Sequence, residues 1–179
     1  MNMSETRLRT FIVHVEDLPG VLNRVTSLFR RRGYNIESLT VGRTSKPGVS
    51  RMTIVMEADD DAARRIEANL YKLVNVLRVD DTTPRATVTR ELALIKVKAD
   101  ATSRPAVMQV CDVFRARVVD VGPDALVCEI TGTADKIDGL TSVLAPYGIV
   151  EMVRTGAVAM VRSSEGDEPV IDPVAERAA

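Results

Sequence analysis

Histidine, cysteine and tryptophan are almost missing from this 179-residue sequence, which has one, two and none of them respectively. A single histidine, His14, nearly excludes a histidine triad and a metal site built from several histidines. Cys111 and Cys128 are too far apart for a Cys-x-x-Cys motif. The sequence also lacks a Walker motif and a Gly-x-Gly-x-x-Gly fingerprint, the usual signatures of phosphate-bearing cofactors. We therefore expect no cofactor, no metal and no catalytic residue in this chain.

Excess charge and long apolar runs are also missing. The sequence has 24 Lys and Arg against 25 Asp and Glu, with no basic stripe interleaved with aromatic residues, which disfavours a nucleic-acid surface. The basic run Arg30–Arg32 ends a predicted helix, where cations favour the helix dipole. No apolar run is long enough to cross a bilayer, and no signal-peptide pattern begins the chain. We expect a cytoplasmic protein that binds neither nucleic acid nor membrane.

What is present is a large supply of aliphatic residues. Hydrophobic residues make up 45% of the sequence and aromatic residues only 3%, so the core must be built from Val, Leu, Ile and Met. Cys111 and Cys128 fall on the apolar faces of a predicted helix and a predicted strand, which is typical of reduced core thiols. Small domains bury a low fraction of their surface, and we therefore expect an oligomer.

The first half of the chain predicts the order strand, helix, strand, strand, helix, strand. Alternation predicts the first strand, and residues at helical spacing, including Leu22 and Val25, predict a helix that Gly33 ends. Asp59 begins the second helix as its N-cap. Residues 80–85 lack periodicity and are interpreted as a linker. The predicted strands lie at Thr10–Val15, Tyr34–Val41, Met52–Met56 and Val76–Val79.

The second half repeats this order with little sequence identity. The helices are predicted to begin at Ser103 or Arg104 and after the N-cap Thr133. The fold class is therefore α+β, with two ferredoxin-like βαββαβ domains at 7–83 and 84–162. The polar segment 163–179 is predicted to be disordered.

The junction Asp17-Leu18-Pro19-Gly20-Val21-Leu22 joins the first strand to the first helix. Helix N-termini carry unpaired amides and partial positive charge, so the amides of Gly20 and Val21 suit a carboxylate or phosphate. The alternative is an ordinary helix start, in which Asp17 is the N-cap and Pro19 lies in the first turn. The local motif alone leaves both interpretations open.

Several segments resemble the small regulatory subunit of acetolactate synthase, also called acetohydroxyacid synthase. The motif at 17–22 alone indicates only an ACT domain, a common amino-acid-sensing module. The combination with 31–39 and 50–55 is specific to this family. The resemblance continues through Lys72–Leu77, Arg90–Val97 and Phe114–Ala116, and so covers nearly the whole chain before the polar tail.

The resemblance implies an N-terminal ACT domain, a C-terminal ferredoxin-like domain, and a homodimer. Such a dimer activates a separate catalytic subunit and confers feedback inhibition by valine, with leucine and isoleucine as further candidate effectors. Thiamine diphosphate, Mg and FAD are then expected in the catalytic (large) subunit. Two alternatives are a free-standing ACT-type sensor without an enzyme partner and a small enzyme, of which the missing chemistry disfavours the second.

The resemblance also places the effector site between two ACT domains. One protomer supplies the turn around Gly20, and the other supplies Asn35 and Ile36. In this arrangement turn amides bind the effector carboxylate, the Asn35 oxygen accepts from its ammonium group, and apolar side chains enclose its branched side chain. Asp17 stands where relatives also have Asn, and its charge favours the ammonium group but repels the carboxylate. The predicted site residues are Asp17, Leu18, Pro19, Gly20, Val21, Leu22, Asn35 and Ile36.

Overall fold

The structure is a computed structural model that describes residues 6–165. The chain forms two compact units: Thr89–Gly156 is the second, and the residues on either side of it form the first. Each unit combines an antiparallel sheet with two helices in βαββαβ order, which confirms the predicted fold class. The predicted boundaries at 7–83 and 84–162 stay predictions. Of the predicted disordered tail, 163–179, all but a short 3-10 turn at Ser163–Glu165 lies outside the described residues.

The first unit contains a four-stranded sheet in the order β2-β3-β1-β4. Phe11, Val13 and Val15 alternate along β1 and are buried in one core with Val25 and Phe29 of the first helix. The sequence pattern predicts this face correctly because side chains alternate along a strand. The elements are β1 (Arg7–Glu16), α1 (Val21–Arg32), β2 (Ser38–Arg43), β3 (Val49–Ala58), α2 (Asp60–Leu70) and β4 (Val76–Asp81).

Helix α1 ends at Gly33, as predicted, in the left-handed conformation with φ 72°. The Tyr34 N–H then donates to Phe29 O at 3.1 Å, and the two rings meet edge to face with centroids 6.5 Å apart. Tyr34 therefore completes the helix cap. The predicted strand at 34–41 is wrong at its start, because β2 begins only at Ser38.

The predicted linker at 80–85 also begins too early. Strand β4 continues to Asp81, and beyond it the Thr82 N–H donates to Thr10 O at 2.9 Å. The Thr83 Oγ1 accepts from the Thr10 N–H at 3.0 Å. These bonds to β1 hold residues that have no periodic pattern, so the sequence gives no local sign of them.

The second unit repeats the topology, with strands in the order β6-β7-β5-β8. Its core contains Ile95, Val97, Leu126 and both cysteines, which confirms the predicted core thiols. The Thr133 side chain accepts from the Lys136 N–H, as expected of an N-cap. The elements are β5 (Thr87–Lys98, which begins in the first unit), α3 (Arg104–Val113), β6 (Arg117–Val121), β7 (Ala125–Gly132), α4 (Ala134–Leu144) and β8 (Ile149–Arg154).

Helix α3 ends with an arginine in a conformation that favours glycine. Arg115 has φ 54° and is the one non-glycine residue with positive φ in the described range. The Ala116 N–H donates to Cys111 O at 2.8 Å and the Arg115 N–H to Asp112 O at 3.0 Å, which together form a Schellman cap. The end of α3 is therefore strained.

One strand was not predicted. Strand β9 (Val158–Val161) belongs to the first unit. The Ala157 N–H donates to Ser38 Oγ at 2.8 Å, and the Arg51 guanidinium donates to Ala159 O. Buried odd-numbered and exposed even-numbered residues alternate over 157–160, but all four residues are apolar, so the sequence itself shows no polar alternation there.

Candidate functional site

The turn between β1 and α1 starts its helix without a side-chain cap. Gly20 is the N-cap residue, with φ 83° and ψ −6°, and no side chain accepts from the first helical amides. This left-handed conformation is one that glycine adopts at little cost. Because Asp17 does not cap the helix and Pro19 precedes it, the interpretation of this segment as an ordinary capped helix start is wrong.

Several amides of this turn lack an internal acceptor. The Val21 N–H donates to Leu18 O at a long 3.3 Å, whereas nothing in residues 6–165 accepts from the N–H of Gly20, Leu22 or Asn23. These groups lie at the positive end of the α1 dipole. Three unpaired amides at a helix start are suited to a small anion such as a carboxylate.

The side chain of Asp17 is held by the β2–β3 hairpin. Its Oδ2 is 3.0 Å from Arg43 Nε, and its Oδ1 accepts from Ser50 Oγ at 3.1 Å. The Asp17 N–H donates to Gly48 O at 2.8 Å. Arg43 therefore offsets the negative charge that a carboxylate ligand would otherwise meet beside the turn. The predicted attraction of Asp17 for the ligand's ammonium group is weakened by the same ion pair.

A polar network holds the residues that precede and follow the turn. Buried Asn75 donates from Nδ2 to the Glu16 carboxylate and accepts from the Arg24 guanidinium at Oδ1. Its backbone carbonyl accepts from the Glu16 N–H at 2.9 Å, and the Arg24 N–H donates to Gly20 O at 3.0 Å. Asn75 thus connects the end of β1 to the first turn of α1. Sequence reasoning missed this network, as it missed Arg43 and Ser50, because each partner lies far away along the chain.

The apolar residues of the turn divide between the core and the surface. Val21 is buried in the core, and Ile36 packs against that same core. Leu18 is 51% exposed and Leu22 is 42% exposed. Leu22, predicted on the apolar face of α1, therefore faces outward, and Val21 takes its place in the core. Leu18 and Leu22 are the apolar surface that the turn offers to a ligand.

Asn35 and Ile36 lie at the opposite end of α1 from the turn. At about 1.5 Å per residue, the 12 residues of α1 separate the two regions by roughly 18 Å. The Asn35 Nδ2 donates to Glu37 Oε1 at 2.8 Å, and Asn35 is exposed. One chain therefore does not bring the two halves of the predicted site together.

A separate basic cleft of about 460 Å³ lies between the C-terminal ends of α1 and α2. Its cations lie at the negative ends of the two helix dipoles, and this placement accounts for them without a ligand. The lining residues are Leu28, Arg31, Arg32, Asn69, Lys72 and Leu73.

The only histidine of the sequence, His14, lies in strand β1 of the first sheet. His14 is 9% exposed, and its Nδ1 has no hydrogen-bond partner within residues 6–165. Burial lowers the pKa of His14, and the nearby Arg51 lowers it further. The side chain is therefore neutral near pH 7, in agreement with its prediction as a packed strand residue.

Among the helices of the described chain, none is both long and apolar enough to span a membrane.

Two family models match the chain. Residues 11–78 match the AHAS small subunit-like ACT domain, and residues 90–163 match the small subunit of acetolactate synthase. The acetolactate synthase small subunit of Mycolicibacterium smegmatis is 48% identical over 161 residues, which cover 90% of this chain and 95% of that protein. The probable acetolactate synthase small subunit of Methanothermobacter thermautotrophicus is 49% identical over 151 residues, covering 84% and 90%.

A solved structure matches almost the whole chain as well. The crystal structure of the acetolactate synthase small subunit from Thermotoga maritima has a TM-score of 0.82 and 39% sequence identity. The match covers 87% of this chain and 98% of that one. The sequence and structure comparisons therefore agree with each other and confirm the resemblance found in the sequence motifs.

Proposed function

The chain belongs to the family of acetolactate synthase small subunits, and from this premise we propose that it confers feedback inhibition by binding valine at the Asp17–Gly20 turn. Within that family it is the regulatory subunit, and it acts on a large subunit. We infer that the large subunit carries the catalysis together with thiamine diphosphate, Mg and FAD. This chain then contributes regulation but no chemistry of its own, in the cytoplasm.

The observation that supports the proposal most is the set of unpaired amides at Gly20, Leu22 and Asn23. An amino-acid carboxylate has two oxygens and accepts from several N–H groups at once. The α1 dipole adds to this attraction, and Arg43 reduces the repulsion from Asp17. The turn is therefore suited to the carboxylate of an amino acid.

The remaining groups of valine require a second chain. Because one chain keeps Asn35 roughly 18 Å from its own turn, a complete site needs the turn of one protomer and Asn35 of another. Strand β2, which lies close to Asn35 in sequence, is an edge strand whose outer side pairs with no described strand. A homodimer that joins two such edges is the simplest assembly in which each β2 gains a partner.

The Asn35 side chain has an acceptor available for the ammonium group of the proposed ligand. Its Nδ2 donates to Glu37 Oε1, and no described residue donates to its Oδ1. The Glu37 carboxylate adds negative charge nearby. Exposed Leu18 and Leu22 offer apolar contact to a branched side chain. Leucine and isoleucine share this chemistry, so they are competitors for the site.

Calorimetric titration of the full chain with L-valine tests the proposal. Asn35→Ala should weaken binding about tenfold to a hundredfold, since a hydrogen bond to a charged group contributes roughly 1.5–3 kcal/mol. Asn69→Ala is the matched control, because Asn69 lies on α2 outside the predicted site. Failure of the native chain to bind valine would refute the effector, and unchanged affinity in Asn35→Ala would refute the role of Asn35.

The partner is tested with the large subunit. Adding this chain should raise the rate of acetolactate formation from pyruvate by the large subunit, and the chain alone should form none. The alternative of a free-standing sensor predicts no effect on that rate and no co-purification with the large subunit. Acetolactate formation by the pure chain with thiamine diphosphate and Mg would contradict the regulatory assignment.

A further inference from the structure

The only two cysteines of the sequence meet in the core of the second unit. Cys111 Sγ on α3 lies 2.9 Å from Cys128 Sγ on β7, and both side chains are fully buried. The residues are 17 positions apart, so the fold rather than the local chain brings the sulfur atoms together. A disulfide bond requires an S–S distance of about 2.03–2.05 Å, which is an approach of about 0.9 Å from this arrangement.

The two thiols are not equivalent. The hydrogen bond between the two thiols lowers the pKa of Cys111. The same hydrogen bond, together with burial, raises the pKa of Cys128. Cys111 is therefore the sulfur that ionises first, and the thiolate is the nucleophilic form of a cysteine. Cys128 remains a thiol in contact with it.

We propose that Cys111 and Cys128 are a disulfide-forming site that reacts with a small hydroperoxide. The Cys111 thiolate attacks one oxygen of hydrogen peroxide, breaks the O–O bond and becomes a sulfenic acid, and the departing hydroxide takes up a proton to give water. The Cys128 sulfur then attacks the Cys111 sulfur. The S–S bond forms, the S–O bond breaks, and the leaving hydroxide takes the Cys128 proton to give a second water. Two thiols are oxidised to one disulfide, and peroxide is reduced to two waters.

The end of α3 provides the route for the oxidant. Cys111 O accepts the final hydrogen bond of the cap that contains Arg115 in its left-handed conformation. Val113 in the last turn of α3 is 75% exposed, whereas Phe114 and Ala116 pack on the core of the unit. The ends of helices open locally at a lower free-energy cost than their centres. Hydrogen peroxide is little larger than water, and it reaches Cys111 when the turn opens.

The bond would connect helix α3 to strand β7 within one unit. Closing a loop of this length restricts the unfolded chain, which stabilises the folded state unless the bond is strained. The expected rise in melting temperature is on the order of 10 °C. Because the chain has no other cysteine, no competing disulfide within one chain exists.

The test uses the full chain, purified with reductant, freed of it and then exposed to excess hydrogen peroxide in native buffer. Intact mass should fall by two hydrogens in the monomer, and a thiol-blocking reagent added after denaturation should attach nowhere. Reduction should restore both sites of attachment. Cys111→Ser and Cys128→Ser are matched controls: neither should lose two hydrogens, and Cys128→Ser should hold a sulfenic acid that a dimedone probe captures.

Two results would overturn the proposal. One is a native chain that keeps both thiols reactive after prolonged exposure to peroxide. The other is a loss of two hydrogens by the Cys111→Ser or Cys128→Ser monomer, because neither variant can form the Cys111–Cys128 bond. The wild-type mass measurement decides the first point even if a cysteine variant fails to fold.

Discussion

Replacing Gly20 with aspartate should abolish inhibition by valine while leaving activation of the large subunit intact. Gly20 has φ 83°, and a Cβ built there meets no heavy atom within 4 Å in residues 6–165 other than those of its own chain neighbours. An added side chain therefore projects into open space beside the unpaired amides, where the proposed carboxylate binds. The left-handed conformation costs a non-glycine residue about 1 kcal/mol of stability, and aspartate tolerates it better than most residues.

The size of the effect follows from the distance between the two charges. A carboxylate at residue 20 would lie about 4 Å from the carboxylate of the effector, where two like charges repel by about 1 kcal/mol in water and about 4 kcal/mol near a protein surface. Since 1.4 kcal/mol corresponds to a tenfold change in affinity, the figure for water weakens valine binding about fivefold and the figure near a protein surface weakens it by roughly several hundredfold. A ligand that binds this weakly shifts little of the protein between its states.

Gly20→Asn separates charge from bulk, because asparagine has nearly the same shape as aspartate and no charge. The assay measures acetolactate formation by the reconstituted enzyme against valine concentration, with calorimetry of the isolated chain alongside. Gly20→Asp should lose much more sensitivity than Gly20→Asn, and both should activate the large subunit. Normal valine sensitivity in a Gly20→Asp protein that folds and activates would refute the assignment of this turn as the effector site.

Two further predictions concern stability. Because the pKa of His14 is lowered in the folded state, the unfolded chain takes up a proton at this residue first as the pH falls below 6.5. The contribution of His14 to the free energy of unfolding is therefore full above pH 6.5 and is lost as the pH falls toward the folded pKa. The loss is about 1.4 kcal/mol for each pH unit between the unfolded and the folded pKa. Lys46, Arg51 and Arg78 oppose protonation and Asp80 favours it. Urea denaturation at pH 7 and pH 5 should show a smaller loss in His14→Gln than in the native chain, and an equal loss would contradict the role of His14. Arg115→Gly should stabilise the chain by about 1 kcal/mol by relieving the left-handed strain, and a thermal melt without a rise of a few degrees would contradict this expectation.

Sequence predicted best what depends on neighbouring residues. The alternation of β1 and the glycine that ends α1 are local properties, and both were placed correctly. The start of α1 was harder. Val21 and Leu22 fit the helical spacing equally well. Val25 follows Val21 by four residues and Leu22 by three, and both spacings place two side chains on one face of a helix. The choice depends on the direction in which the chain enters the helix, which the Gly20 conformation fixes and the apolar pattern does not encode.

The groups around the turn were hidden from sequence for another reason. Ser50 lies 33 positions from Asp17, and Asn75 lies 59 positions from Glu16. Strand register brings them together: Glu16 stands opposite Val49, next to Ser50. A shift of one residue in that register would turn the Ser50 side chain to the other face of the sheet. No local pattern specifies a register that depends on the packing of the whole sheet.

The length of α1 leads to a consequence for regulation. If the turn of one protomer and Asn35 of another form one site, a twofold dimer has two equivalent sites, each of which bridges both chains. Valine then binds the dimer more tightly than the separated chains, so by linkage it must also favour association of the chains. The effector signal is in that case carried by the contact between two protomers, and a variant that weakens this contact lowers valine affinity without touching the ligand.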